Sequence, residues 1–276
     1  LNRKHPPDEE EQFKNYARVA ERCKPHSVII RTLDIGGDKS TESLDLPKEQ
    51  NPFLGCRAIR YCLEHPEIFK PQIRAILRAG VYGNVRMMLP MISGVEELRA
   101  AKKIIEECKR ELSAEGASFQ PEMELGTMIE LPSAALSAEW LAKEVSFFSI
   151  GTNDLIQYAI AVDRVNERIA HLYQPAHPAI LRLIHITTEA AHDAGIWCGV
   201  CGEMAGDICL IPLLVGLGVD ELSTAPSLVP RVKKAICSLS FVECQALALE
   251  AMSLSDHASV FSLSESHAQQ RYSELF

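Results

Sequence analysis

The sequence predicts an α/β fold built of parallel βαβ units, and three observations predict it. Six short runs are near-continuously apolar, as strands covered on both faces are. Longer amphipathic segments separate them, so strand and helix alternate along the chain. The 276 residues are 47% hydrophobic and 24% charged, an ordinary globular composition with enough chain to bury a full core. That length fits either two domains of ordinary size or one α/β barrel of roughly 250 residues.

The predicted strands cover residues 27–34, 85–92, 124–130, 146–151, 197–201 and 221–224. The clearest predicted helix runs over 95–112. Ser93 reads as its N-cap with Glu96 completing a capping box, and Val95, Leu98, Ile105, Cys108 and Leu112 form its apolar stripe. Gly116 closes it. A second helix over 179–194 is closed by Gly195, and a short apolar one over 209–217 by Gly218. Right-handed crossovers then connect the strands. The Ser-rich stretch 253–276 reads as a last helix or a partly disordered end, and 1–252 as the main domain.

Charge and cysteines narrow the class. Lys plus Arg number 28 and Asp plus Glu 37, a net charge of −9, which argues against a broad nucleic-acid-binding face. No apolar run approaches the ~20 residues of a membrane helix. The nine cysteines are odd in number and scattered through apolar stretches, as reduced thiols of a cytoplasmic protein are. Residues 1–13 show no signal peptide and no initiating Met, so the reading expects a piece of a longer chain.

Nearly every predicted strand ends in a charged or reactive group, and in parallel α/β folds chemistry gathers at those ends. Arg31 and Asp34 close the first, with a Gly36-Gly37-Asp38-Lys39 turn after them. Glu130 closes the third, and Asn153 and Asp154 follow the fourth. Two carboxylates on neighbouring parallel strands, ~5 Å apart, suit a shared Mg²⁺ with waters and a substrate phosphate. Asp154 also fits a plain helix N-cap. Arg31 lies inside an apolar strand and needs an anionic partner, either a ligand or an internal one such as Asp34 or Glu130. Arg57 follows the 51–55 loop, and Arg164 completes the cationic set.

Cys201 stands in the glycine-rich stretch 199–207, where small neighbours let a ligand approach. It suits a nucleophile or a general acid. Cys198 and Cys201 also spell C-x-x-C, but along a strand they face opposite sides, and no second such pair exists to complete a zinc site. The nine histidines form no metal motif; His171 and His177 sit in the HLYQPAHP loop.

Taken together, the stretches RTLDIGGDK (31–39), NPFLGCRAIR (51–60), FFSIGTNDLIQYAIAVDR (147–164), HLYQP (171–175) and GVCGEMAGD (199–207) resemble the carboxy-terminal half of enzyme I of the bacterial phosphoenolpyruvate:sugar phosphotransferase system. Pyruvate phosphate dikinase and phosphoenolpyruvate synthase are more distantly similar. The resemblance implies a TIM (β/α)8-type barrel, of which about six strands are evident here, and a homodimer. It implies Mg²⁺ held by Glu130 and Asp154. Arg31, Arg57, Asn153 and Arg164 match substrate contacts, and Cys201 matches the acid that protonates the enolate carbon.

In that family the phosphoryl group of phosphoenolpyruvate passes to a histidine on a separate amino-terminal domain, and from there to a histidine-containing phosphocarrier protein. None of the nine histidines here is assigned that role. A further arginine in an RTEFL-type strand precedes this region in the family and is not found in this sequence, so the two missing strands are expected to be the first two. A phosphoenolpyruvate-sensing and dimerising module without turnover, or a dikinase-type barrel, is the alternative expectation.

Overall fold

A computed structural model describes residues 6–36 and 49–276. Gly37, Asp38 and Lys39, read above as part of a turn, lie outside the described residues. The chain divides into two compact units, Leu1–Met128 and Ile129–Phe276. In each, parallel strands alternate with helices in chain order, the βα repeat of a (β/α)8-type barrel.

The first unit opens with helix α1 (Glu9–Cys23). Asp8 caps it by accepting from the Glu11 N–H at 2.8 Å, and Glu9 to Glu11 place negative charge at its positive end. Strand β1 (Val28–Arg31) pairs in parallel with β2 (Val85–Leu89), and β2 with β3 (Leu125–Ile129). The short helix α2 (Ile59–Glu64) and α3 (Pro66–Ala79) connect β1 to β2. Helix α4 (Val95–Ala114) connects β2 to β3 and buries Leu98, Ala101, Ile105, Cys108 and Leu112 at three- and four-residue spacing. Each fully buried Leu or Ile there contributes about 1.5–3 kcal/mol.

The cap of α4 differs from the expectation. The N-cap is Gly94, in extended backbone, so the third helical residue is Glu97 and not Glu96. Glu97 Oε2 accepts from both the Ser93 N–H (2.6 Å) and the Ser93 hydroxyl (2.8 Å). The start is one residue later than the Ser-x-x-Glu spacing suggests. The three closing glycines do fall where expected. Gly116, Gly195 and Gly218 take left-handed φ values of 69°, 74° and 83°. The residue after each donates back across the last turn, as in Ala117 N–H to Leu112 O at 3.0 Å.

In the second unit α5 (Pro132–Leu136) and α6 (Ala138–Leu141) lead to β4 (Phe147–Gly151), every residue of which is buried. Then come α7 (Thr152–Ile160), α8 (Pro178–Asp193), β5 (Trp197–Cys201), α9 (Ile211–Gly216) and β6 (Glu221–Ser223). β4 pairs with β5 and β5 with β6, all parallel, and the rings of Phe147 and Trp197 stack at 4.6 Å across the first pair. Helices α10 (Val229–Cys237), α11 (Phe241–Ser253) and α12 (His257–Tyr272) complete the chain. The stretch after Ser253 is thus mostly helix, with Asp256 capping α12 through the Ser259 N–H at 2.9 Å.

Candidate active site

In the first unit the polar residues are organised around one carboxylate. Asp34 follows β1 and accepts from Arg31 at 3.2 Å and from Arg57 at 2.9 Å, one guanidinium on each oxygen. Arg57 is 1% exposed and Asp34 2%, while Arg31 keeps 38% of its side chain in solvent. Guanidinium groups held in this way suit phosphate or carboxylate. Of the internal partners open to Arg31 from the sequence, Asp34 is the one it takes.

The backbone around these groups is fixed from both sides. Leu33 N–H donates to Gln72 Oε1 at 2.8 Å, and the Gln72 amide donates to the Tyr16 hydroxyl at 3.2 Å. These bonds tie the Arg31–Asp34 segment to α3 and α1. Beyond Arg57, Ala58 N–H donates to Ile35 O at 2.9 Å. Ala58 stands at φ 49°, a region that disfavours a side chain and marks a site held by its surroundings. Gly36 has no room for a side chain: a Cβ there would lie 2.3 Å from the Arg57 Cβ.

In the second unit Glu130 follows β3 directly and is 1% exposed; Asp154 is 6% exposed. The N-cap of α7 is Gly151, so Asp154 is the third helical residue and not the cap. Both carboxylates are buried hard-oxygen donors of the kind that Mg²⁺ accepts beside waters. Among the described residues no group of three or more His, Cys, Asp or Glu side chains gathers as a metal cluster. A site completed by water and a substrate oxygen fits that donor set.

Arg164 stands 3.9 Å from Asp154. Its delivery is legible in the backbone: α7 ends on Ala161 in the left-handed conformation at φ 54°. Val162 N–H then bonds Gln157 O at 3.1 Å, and Arg164 N–H bonds Gln157 Oε1 at 3.2 Å. Gln157 therefore sets where the arginine leaves the helix.

A cavity of about 560 Å³ is lined by Asn153, Cys201, Glu203, Asp207 and Thr224 among others, and not by Glu130, Asp154 or Arg164. Neutral donors bond Cys201 and Asn153 on its wall. Thr152 Oγ1 donates to Cys201 O at 2.8 Å, and the Ser149 hydroxyl donates to Cys201 Sγ at 3.5 Å. Glu203 N–H donates to Asn153 Oδ1 at 2.9 Å, and the Tyr173 hydroxyl to Asn153 O at 3.3 Å. Gly202, at φ 99°, makes the close approach possible, since a Cβ there would lie 2.6 Å from Thr152 Oγ1.

All nine cysteines are free thiols. Burial pushes the Cys62 and Cys108 thiols up to about 12 and those of Cys56, Cys209 and Cys244 up to about 11. Cys198 is fully buried and also raised by burial, whereas Cys201 is partly exposed on the cavity wall. His177 caps α8 by accepting from the Ala179 N–H at 3.1 Å, a structural role. Ser149, Thr152, Gln157 and Tyr173 were missed by sequence reasoning. The alternation of FFSIGT, which turns Ser149 to the same side as Gly151, could have marked the first of them.

The family model for the PEP-binding domain of PEP-utilising enzymes matches residues 1–241. The chain belongs to this family. Phosphoenolpyruvate-protein phosphotransferases are similar along nearly the whole chain. That of Staphylococcus carnosus is 50% identical over 269 residues, 98% of this chain and 47% of its own length. That of Bacillus subtilis is 52% identical over 255 residues, 92% and 45% respectively. The chain thus spans less than half the length of these PEP-utilising relatives. Among solved structures, a malate synthase of Haloferax volcanii in complex with magnesium and glyoxylate has a TM-score of 0.54 at 14% identity. The match covers 96% of this chain and 76% of that one, a likeness of fold alone.

Proposed function

We propose that this chain is the phosphoenolpyruvate- and Mg²⁺-binding part of a phosphoenolpyruvate-protein phosphotransferase, an enzyme that opens a sugar phosphotransferase system in the cytoplasm. The observation that carries this reading is the cavity wall on which Cys201, Asn153 and Glu203 stand together, in a chain about 50% identical to enzymes of that name. The phosphoryl group goes to a histidine on a separate domain, from which a histidine-containing phosphocarrier protein takes it. A homodimer is the expected assembly.

The roles follow from the chemistry. Arg31 and Arg57, oriented by Asp34, balance phosphate charge; Arg164 and Asn153 hold the substrate's carboxylate and phosphate oxygens. Glu130 and Asp154 hold Mg²⁺, which when bound neutralises charge on the transferring phosphoryl group. The P–O bond to the enol oxygen breaks and the acceptor nitrogen takes the phosphoryl group, leaving the enolate of pyruvate. Cys201 gives its Sγ proton to the terminal carbon, which makes the methyl group, and solvent returns a proton to the sulfur.

Titration calorimetry of the protein with phosphoenolpyruvate and Mg²⁺ tests the reading. Saturable heat at millimolar ligand, lost in Glu130→Gln, is expected. A folded sample that gives no heat overturns it.

A further inference from the structure

The last helix carries an unusual buried face. Val260, Ser264, Ala268 and Tyr272 recur every fourth residue along α12, and all four are fully buried. Two of the four bear hydroxyls, and neither hydroxyl serves α12 itself. The Ser264 hydroxyl donates to Cys209 O at 2.5 Å, and the Tyr272 hydroxyl to Ile208 O at 2.7 Å. Both carbonyls belong to the turn between the Cys201 strand and α9. A buried carbonyl in such a turn has no ladder to pair with, and a side-chain donor satisfies it.

That turn is also the cavity wall. From Gly202 to Leu210 the segment contributes Gly202, Glu203, Met204, Gly206, Asp207 and Leu210 to the lining. Three further bonds fix this segment. Cys209 N–H donates to Asp207 Oδ1 at 2.9 Å, Asp207 N–H to Met204 O at 3.3 Å, and Glu203 N–H to Asn153 Oδ1. The ring of Tyr272 packs with Ile208, Cys209, Ile211 and Ala268, and the cavity residue Leu228 lies against the same cluster. The helix is capped at its start by Asp256, and the turn that follows it carries the Lys234–Glu274 pair at 3.2 Å.

We propose that α12, which lies beyond the residues matched by the family model, braces the substrate cavity, with Tyr272 and Ser264 as positioning residues for the Cys201–Leu210 wall. The proposal rests on reading that cavity as the phosphoenolpyruvate site.

The test uses the full-length protein with Tyr272→Phe, which keeps the ring, and Ser264→Ala. Ile105→Val in α4 is the comparison, a core change of similar size in the first unit. Two readouts are taken beside the thermal midpoint: KM against kcat for phosphoenolpyruvate, and the alkylation rate of Cys201 relative to exposed Cys237 by peptide mass spectrometry. Losing one hydrogen bond is expected to raise KM and the relative Cys201 alkylation about five-fold. Ile105→Val should lower the midpoint and leave both alone. If Tyr272→Phe and Ser264→Ala lower the midpoint with KM and alkylation unchanged, α12 merely packs and the proposal falls. A wild type that ignores phosphoenolpyruvate removes the functional reading instead, and the alkylation rate alone then decides whether α12 braces the wall.

Discussion

In the first unit the candidate residues are held by charge: Asp34 stands between Arg31 and Arg57, and a second ionic net ties α1, α3 and α4 together through Glu9, Arg74, Arg78, Glu111 and Glu115. In the second unit Cys201 and Asn153 are held by neutral donors, from Ser149, Thr152, Tyr173 and a backbone N–H. The contrast suits the roles proposed for each set. Arginines proposed to meet an anionic substrate need a fixed orientation, and the shared carboxylate supplies one. A thiol that gives up a proton is better served by neutral neighbours, since a fixed cation beside it would favour the thiolate.

The largest expected effect breaks the ionic side. Asp34→Ala leaves the fully buried Arg57 without this anion, and removing one partner of a buried pair costs about 3–5 kcal/mol. Urea unfolding should show a loss of that order, and Asp34→Asn should recover part of it by retaining an acceptor. On the neutral side Thr152→Val deletes the hydroxyl that serves Cys201 O at nearly constant volume. Its expected cost is about 1–3 kcal/mol, the price of a buried carbonyl left unpaired, with no dependence on salt.

Acid tests the ionic helices of the first unit. The bond to Arg78 holds Glu10 below its usual value of 4.5, and the bond to Lys70 does the same for Glu111. A carboxylate depressed in the folded state contributes stability that is present above about pH 4.5 and lost as pH falls through its folded value. Hydrogen exchange followed down from pH 6 should therefore show the α1–α3–α4 helices opening before β4 and β5. Added salt should weaken the same helices, because most of these pairs reach solvent. The smallest effect is expected at Ala161, where glycine relieves the left-handed backbone. Ala161→Gly should move stability upward by no more than about 1 kcal/mol in thermal unfolding.

Much of this was legible in the sequence, and the rest was hidden for identifiable reasons. The apolar runs marked the six strands among the described residues; β2 to β5, mostly buried, need continuous apolar sequence, whereas Glu221 and Ser223 of β6 are exposed. Each predicted run except 197–201 overshot by one to four residues; past β1 and β3 burial outlasts the strand, with Thr32 and Glu130 each 1% exposed. The closing glycines were readable because a left-handed turn has few other occupants. Helix α12 was readable only as one of two alternatives, because Ser264 and Tyr272 interrupt what would be its apolar stripe. The charged groups were visible as charges at strand ends. The neutral bonds around Cys201 were not, because Ser149 and Thr152 look like ordinary strand and turn residues until the backbone brings them to the sulfur and to its carbonyl.

The central claim of the proposed function is that Cys201 finishes the reaction by protonating the enolate. The most direct measurement is pyruvate release by the full-length protein carrying Cys201→Ala, followed alongside calorimetric binding of phosphoenolpyruvate with Mg²⁺. The account predicts binding within about two-fold of the wild type and a fall in pyruvate release of about 100-fold or more, the scale of a lost general acid. Pyruvate release at the wild-type rate from Cys201→Ala would contradict it.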